Sequence, residues 1–400
     1  MENPGWPSRA ELAGRVARLR NLMKESGQDA ALFLQNADIL YLAGTLQAEA
    51  VFVPSEGDPL VLARPPLDQR VRDESGWGEP EIMPKWVDLK KRLLEHAPFQ
   101  SLGLELDVLP VTQYQRLAGF LDAVELVDAS PLIRRARAVK SAFELEQMKT
   151  AAHNLDRIYK MAAEIMSESV SEVELEGRLI GQARAMGHQG LIRGRGFNQE
   201  IFFGHILSGP SGLVPAKVPS PTGGTGIGPG LGQGAGFRII GKNELVSMDL
   251  CGTHGGYIVD QTRLFFTGTT PGPLRDVYDR LLVLVEELLE GVSPGKTAGE
   301  VYSLSIALAG KYGLEEGFMG LGADRCPFVG HGIGLELDEW PVLAKGAVMV
   351  LETGMTFALE PRVFLPGYGV VGLENTYYLT EKKPEVINVT GLEIVEIPRA

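Results

Sequence analysis

Helical and strand-like hydrophobic patterns alternate in the first third of the chain. Ser8 and Glu11 have the spacing of a capping box that opens a helix. Apolar runs typical of strands cover residues 30–34, 39–42, 51–53, 59–63 and 102–106, and helical patterns cover residues 87–96 and 112–121. This alternation predicts a small α/β domain over residues 1–135. The basic segment 131–137, in an acidic chain, is interpreted as an exposed linker at its end.

The remaining residues, 136–400, show one arrangement twice. Capping boxes that begin at Ser141 and Ser171 start two helices, and a glycine-rich stretch and strand-like segments follow as far as residue 266. A helical pattern over 274–290 and a capping box at Thr297 then precede strand-like segments between residues 328 and 379. Two helices followed by antiparallel strands, twice over, predict an internally duplicated α+β domain.

Composition narrows the class of protein. With 44% hydrophobic and 22% charged residues, the 400-residue chain is typical of a globular protein of two domains. A net charge of −13 argues against a nucleic-acid partner, because phosphate-binding surfaces are basic. Only two cysteines are present, the first residues lack the apolar core of a signal peptide, and no apolar run approaches membrane-spanning length. We therefore predict a cytoplasmic protein with no membrane partner.

Two aspartates flank a predicted hairpin in the first half of the duplicated domain. A two-residue turn at His254 and Gly255 would place Asp249 directly opposite Asp260. Cross-strand partners have Cβ atoms only about 4.5–5.5 Å apart, so two carboxylates placed there would repel each other. A divalent cation between them would offset this repulsion.

The second half repeats the arrangement with two glutamates. Glu360 and Glu374 are symmetric about Gly367, so a hairpin centred on that glycine pairs them as well. His331 lies between two glycines, which leave its imidazole room. Four carboxylates and one imidazole suit Mn²⁺, Co²⁺, Zn²⁺ or Fe²⁺, and four carboxylate charges balance two divalent ions. Two such ions would activate a water molecule and polarise a carbonyl or phosphoryl oxygen.

A glycine-rich stretch and a nearby histidine allow two interpretations each. Residues 219–236 form either a flexible surface loop or a lid over a site, and they contain no phosphate-binding Walker pattern. His205 precedes this stretch and either reaches the site or is a packed structural residue.

The motifs together resemble the pita-bread metallopeptidases, which include methionine aminopeptidase, aminopeptidase P and prolidase. The resemblance covers nearly the whole chain, from the segment 36–44 in the first domain to the five predicted ligands, and it is nearer to prolidase and aminopeptidase P. It implies a pita-bread catalytic domain over 136–400, a creatinase-like N-terminal domain over 1–135, a homodimer, and cleavage of small peptides at Xaa-Pro bonds. It also implies that Asp249 and Glu374 contact both metal ions and that Glu360 is the general base.

Three positions depart from what the resemblance implies. Two family histidines correspond here to Asp338 and Ala216, and a family arginine two residues before the last glutamate corresponds to Gly372. We expect His205, Asp338 or amides of the glycine-rich stretch to take the place of the missing residues. Two other functions stay open: a hydrolase or lyase that acts on a non-peptide metabolite with Asp338 as base, and a non-catalytic binding protein on this fold.

Overall fold

The computed structural model describes residues 6–168, 170–218 and 220–398. These residues divide into two compact units, the first made of 1–137 and 195–199 and the second of 138–194 and 200–400. Residues 1–5, used above to argue against a signal peptide, and Pro219, at the start of the glycine-rich stretch, lie outside the described residues. Within the described residues, no helix combines the length and apolar character that crossing a bilayer requires.

The first unit is an α/β domain, as the alternating patterns predict. Its helices are α1 (Arg9–Ser26), α2 (Asn36–Ala43), α3 (Asp68–Glu74), α4 (Leu89–His96), α5 (Val111–Phe120) and α6 (Ser130–Ala138). Its strands are β1 (Ala30–Phe33), β2 (Ala50–Pro54), β3 (Leu60–Ala63), β4 (Glu81–Ile82), β5 (Ser101–Leu104) and β6 (Glu125–Asp128). They form one mixed sheet in the order β4-β3-β2-β1-β5-β6, and apolar side chains of β1, β2, β3 and β5 pack with those of α4 and α5.

Two local predictions in this unit are wrong. The apolar run at 39–42 belongs to helix α2, because the side chain of Gln35 accepts hydrogen bonds from the first amides of the helix and Gly44 ends it in a left-handed conformation. The segment 131–137 lies within helix α6, in which Pro131 stands near the first position, where its fixed φ suits a helix. A basic segment of this kind is not an exposed linker here, since Arg137 is buried against Asp38.

The second unit begins with long helices at the predicted capping boxes. Its helices are α7 (Ala142–Met166), α8 (Glu172–Ala185), α9 (Gly272–Glu290) and α10 (Ala298–Lys311). Its strands are β7 (Gly204–Ser208), β8 (Leu245–His254), β9 (Tyr257–Phe266), β10 (Phe328–Gly332), β11 (Glu339–Ala344), β12 (Thr356–Leu359), β13 (Arg362–Leu365), β14 (Gly369–Gly372), β15 (Glu374–Leu379), β16 (Pro384–Val386) and β17 (Val395–Glu396).

The order of strands in the main sheet reflects the predicted duplication. The order is β11-β10-β12-β15-β9-β8-β7, with β16 beside β15 and β17 beside β9. The first half of the unit therefore supplies one side of the sheet and the second half the other, and the halves meet where β15 pairs with β9. At this junction Glu374 lies opposite Thr262. Side chains that were far apart in the sequence come together there.

Candidate metal centre

The first predicted pair of carboxylates is close together but not in the predicted register. Strands β8 and β9 are joined at Gly255 and Gly256, both of which have positive φ, as a tight hairpin turn requires. The turn lies one residue later than predicted, so Asp249 pairs with Thr262, and Cys251 lies opposite Asp260. The two aspartates are therefore diagonal neighbours, and the prediction that they face each other directly is wrong.

The second predicted pair is symmetric about Gly367, as the sequence indicates. Strands β13 and β14 pair with Arg362 opposite Gly372, and residues 366–368 form the turn. Glu360 follows the end of β12, and Glu374 is the first residue of β15. The prediction of a hairpin centred on Gly367 is confirmed.

His331 reaches the carboxylates from β10. Its Nε2 lies 3.7 Å from Oε1 of Glu360, 3.9 Å from Oε1 of Glu374 and 4.0 Å from Oδ2 of Asp260. Its Nδ1 lies 2.8 Å from the carbonyl oxygen of Leu337. A carbonyl oxygen only accepts, so Nδ1 carries a proton. When the ring is neutral, the lone pair is therefore on Nε2, which can then bind an ion.

The residues at this place fit one divalent cation. Ligand atoms of Asp260, His331 and Glu374 all lie within 4.8 Å of one another, and all three side chains are buried. Oε1 of Glu374 has no hydrogen-bond partner among the described residues, although it is buried. A buried carboxylate oxygen without a partner is costly, and a cation would satisfy it. One nitrogen and several oxygens suit a first-row transition ion.

Burial and mutual repulsion shift the pKa values of these groups. Burial, together with the charges of neighbouring carboxylates, raises the pKa of Glu374 well above its ordinary value and that of Asp260 to about 8. Burial also raises the pKa of Glu360. Burial opposes the charged form of His331, but Asp338 and the other carboxylates outweigh it and raise its pKa to about 9. Such a cluster needs positive charge to remain ionised.

One positive charge in the cluster comes from Arg362, which the sequence analysis missed. Its Nη2 lies 2.8 Å from Oδ2 of Asp249, 3.0 Å from Oε2 of Glu360 and 2.6 Å from Oε2 of Glu374. Burial would raise the pKa of Asp249, but this guanidinium holds it below its ordinary value. The sequence contains a signal for Arg362. The symmetry about Gly367 places it opposite Gly372, the position at which the family arginine is missing.

His205 lies beside the cluster. Strand β7 pairs with β8 so that His205 is opposite Asp249, and its Nδ1 lies 2.8 Å from Oγ1 of Thr222. Burial lowers its pKa, so the ring is neutral at pH 7. The part of the glycine-rich stretch around it folds back on itself: Gly226 N donates to the Gly234 carbonyl at 3.1 Å. Residues 222–224 and 234–236 are buried, so this part does not lie at the surface as the loop interpretation predicts, and the lid interpretation stays a prediction.

The positions that depart from the family pattern differ in their distance from the cluster. Asp338 is partly exposed, and its Oδ1 lies 3.8 Å from Nδ1 of His331, on the side of the ring away from the carboxylates. Ala216 lies in the segment that leads into the glycine-rich stretch, and Gly223 packs against its amide. Gly372 lies beneath the Arg362 side chain, since a Cβ on it would be 3.0 Å from Cγ of that arginine.

Comparison with known proteins agrees with this architecture. The model of the Creatinase/Prolidase N-terminal domain matches residues 15–139, and that of Metallopeptidase family M24 matches residues 146–381. An Xaa-Pro dipeptidase of Lactobacillus delbrueckii subsp. lactis is 25% identical over 393 residues, which cover 95% of this chain and 98% of the relative.

Two solved structures show the same fold. An Xaa-Pro dipeptidase from Bacillus anthracis has a TM-score of 0.80 at 24% identity, with 96% of this chain and 99% of that chain covered. The X-Pro aminopeptidase from Thermotoga maritima has a TM-score of 0.78 at 19% identity, with 94% and 100% covered. The predicted pita-bread catalytic domain with a creatinase-like N-terminal domain is confirmed. The model of Metallopeptidase family M24 matches more than half of this chain, and the chain is therefore a metallopeptidase that belongs to family M24.

Proposed function

We propose that this metallopeptidase cleaves small peptides at the bond between an N-terminal residue and proline. The observation on which the proposal rests is the buried cluster of Asp260, His331 and Glu374, whose ligand atoms lie within 4.8 Å of one another at the junction of the duplicated halves. The proline preference is supported by the relatives, which are named Xaa-Pro dipeptidases. The cluster, with Glu360 beside it, would hold a divalent ion. A bound ion of this kind polarises a peptide carbonyl and activates water.

The residues around the ion site have distinct roles in this proposal. Glu360 accepts a proton from the attacking water and passes it to the leaving amine, because its Oε1 lies beside the ion ligands and its raised pKa makes it a better base. His205, neutral and held by Thr222, is proposed to hydrogen-bond the substrate. Asp249 completes the ligand set predicted from the sequence, in which the family resemblance implies that it contacts both ions. Nη2 of Arg362 lies 2.8 Å from Oδ2 of Asp249.

A peptidase assay tests the proposal. The protein is loaded with Mn²⁺, and hydrolysis of matched Xaa-Pro and Xaa-Ala peptides is measured. We expect cleavage that favours proline and falls by about 10²–10⁴ in Glu360→Gln, because the variant cannot take the proton. Glu385→Gln, at an exposed position on β16, is the matched control and should retain full activity. Metal content is measured in both variants, so that a lost ion is not mistaken for a lost base. Intact metal binding with no cleavage of any peptide would refute the proposal.

A non-peptide substrate is the second candidate, and the position of Asp338 favours it. Its carboxylate is partly exposed beside His331, at the place where the family resemblance implies a histidine. In this alternative Asp338 is the base of a hydrolase or lyase reaction on a metabolite. A metabolite screen of the native protein and of Asp338→Asn decides between the two. Turnover of a non-peptide compound that the variant loses supports the alternative, and equal turnover by both proteins counts against a role for Asp338.

The predicted homodimer and cytoplasmic location remain proposals. They rest on the family resemblance and on composition.

A further inference from the structure

A single arginine nitrogen is in contact with three carboxylates of the candidate metal centre. Nη2 of Arg362 lies 2.6 Å from Glu374, 2.8 Å from Asp249 and 3.0 Å from Glu360. Only 1% of this side chain is exposed, although arginine is almost never fully buried unless it is paired. An arginine usually binds one carboxylate through two parallel hydrogen bonds. Here Nη2 instead acts as a point charge among three acids, as a cation would.

The hairpin around Gly367 explains how the side chain reaches this place. Arg362 and Gly372 are partners in the β13–β14 ladder. A Cβ at position 372 would be only 3.0 Å from Cγ of Arg362 and 3.6 Å from Cγ2 of Thr262. Cβ contacts of 3.0 Å are tighter than normal packing, so a larger residue at 372 would push the arginine away. The glycine at position 372 therefore leaves the space in which the Arg362 side chain extends to the carboxylates.

Glu360 and Glu374 each link two cation positions. Their Oε2 atoms contact Nη2 of Arg362, whereas their Oε1 atoms face Nε2 of His331 at 3.7 Å and 3.9 Å. At the arginine position, Oδ2 of Asp249 and the Oε2 atoms of both glutamates each contact Nη2 of Arg362. At the histidine position Oε1 of Glu374 has no partner among the described residues. One position is thus supplied with positive charge by the chain itself, and the other is suited to an ion.

The charges lead to the same conclusion. The carboxylates of Asp249, Asp260, Glu360 and Glu374 together carry four negative charges, which would balance two divalent ions. Asp260, Glu360 and Glu374 are buried, and the Asp249 side chain is 14% exposed. With the guanidinium also buried among them, a second divalent ion would leave excess positive charge in a largely buried site, which is costly. A second ion would also have to displace Nη2 of Arg362 from Oδ2 of Asp249, which it contacts at 2.8 Å.

We propose that Arg362 occupies the second cation position of this centre, so that each chain binds one divalent ion, held by Asp260, His331, Glu360 and Glu374. The guanidinium of Arg362 neutralises and orients the Asp249 carboxylate in place of a second ion. The inference rests on the proposed function only in that the site binds metal. It replaces the two-ion centre that the sequence predicts.

Metal stoichiometry tests this inference without any activity assay. The native protein and three variants are dialysed against Mn²⁺, and bound manganese per chain is measured together with the Mn²⁺ electron paramagnetic resonance spectrum. We expect one ion per chain and the spectrum of an isolated Mn²⁺ in the native protein and in Arg362→Lys, which keeps the cation. In Arg362→Gln, which removes it, we expect two ions per chain and the spectrum of a spin-coupled pair.

Arg275→Gln is the matched control, because it removes an arginine that pairs with Glu396 at the surface and should leave one ion bound. Two ions in the native protein, or one ion in a folded Arg362→Gln, would overturn the inference. If Arg362→Gln does not fold, the number of Mn²⁺ ions bound per native chain alone decides whether the inference holds. One ion without cleavage of any peptide would contradict the proposed function but not this inference. Two ions with cleavage at proline would contradict this inference but not the proposed function.

Discussion

At the scale of single residues, the buried carboxylate of Asp38 stays charged because two arginines of opposite charge lie beside it. In the first unit Asp38 is completely buried, and its two oxygens contact Nη1 of Arg137 at 2.6 Å and Nη1 of Arg195 at 2.8 Å. Burial would raise the pKa of Asp38, but the two arginines outweigh it and lower the pKa. Removing one partner of a buried ion pair is far more destabilising than removing an exposed one.

We therefore predict that Asp38→Asn lowers the free energy of unfolding by about 3–5 kcal/mol, because two guanidinium groups then face a neutral amide in a buried site. Urea unfolding followed by circular dichroism measures the change. Asp58→Asn is the control, since Asp58 pairs with Arg9 at the surface and its loss should change stability by less than about 1 kcal/mol. Equal unfolding midpoints for both variants would contradict this account of Asp38.

At the scale of elements, helix α8 (Glu172–Ala185) links two parts of the second unit. Glu172, in its first turn, accepts hydrogen bonds at 2.7 Å from the amide and from the hydroxyl of Ser208, and at 3.0 Å from the Gly236 amide. A carboxylate in the first turn of a helix is also favoured by the helix dipole. One turn later, Glu176 has no such partners: its Oε1 is buried without a hydrogen bond among the described residues.

The unpartnered Glu176 predicts a pH dependence of stability. Burial raises its pKa from 4.5 to about 7, so between these values the folded protein keeps a proton that the unfolded chain releases. Its contribution to stability is complete below pH 4.5 and is lost as the pH rises through 7. At pH 8 the free energy of unfolding of Glu176→Gln should therefore exceed that of the native protein by about 1–2 kcal/mol, and the variant should unfold at a higher temperature. Near pH 4.5 the two proteins should unfold at the same temperature.

Thermal unfolding at the two pH values measures this difference. Glu174→Gln is the control, because Glu174 lies at the surface of the same helix and pairs with Arg178. A stabilisation of Glu176→Gln that is equally large at both pH values would show that ionisation is not its cause.

At the scale of the molecule, the candidate metal centre lies where the two halves of the duplicated domain meet. Repulsion among its carboxylates opposes that junction, and a bound cation would stabilise it. Removal of metal with a chelator should lower the unfolding temperature, and Mn²⁺ at about a hundredfold excess over its dissociation constant should add about 2.7 kcal/mol. Differential scanning calorimetry measures the shift. In Asp260→Asn, which lacks one ligand, added Mn²⁺ should produce a much smaller shift, and an undiminished shift would place the stabilising ion elsewhere.

Local features of this protein could be predicted from the sequence because they depend on neighbours in the chain. The capping boxes at Ser141 and Thr297 begin helices as predicted, since each needs only a side chain and an amide three residues away. The hairpin at Gly367 and the residue types of the metal centre follow from spacing and chemistry in the same way. The prediction of a strand at the apolar run in α2 is wrong, because a short apolar run fits a strand and a buried helix equally well.

The sequence by itself determined which side chains are the candidates for holding a metal and where the helices of the duplicated domain begin. Only the tertiary structure decided the register of β8 and β9, because the glycines at 255 and 256 both suit a tight turn and a shift of one residue changes every partner. It also decided the place of Arg362, whose chemistry depends on Gly372 across the hairpin and on carboxylates from three other strands or strand ends. Contacts between distant segments are set by packing, and no local pattern contains them.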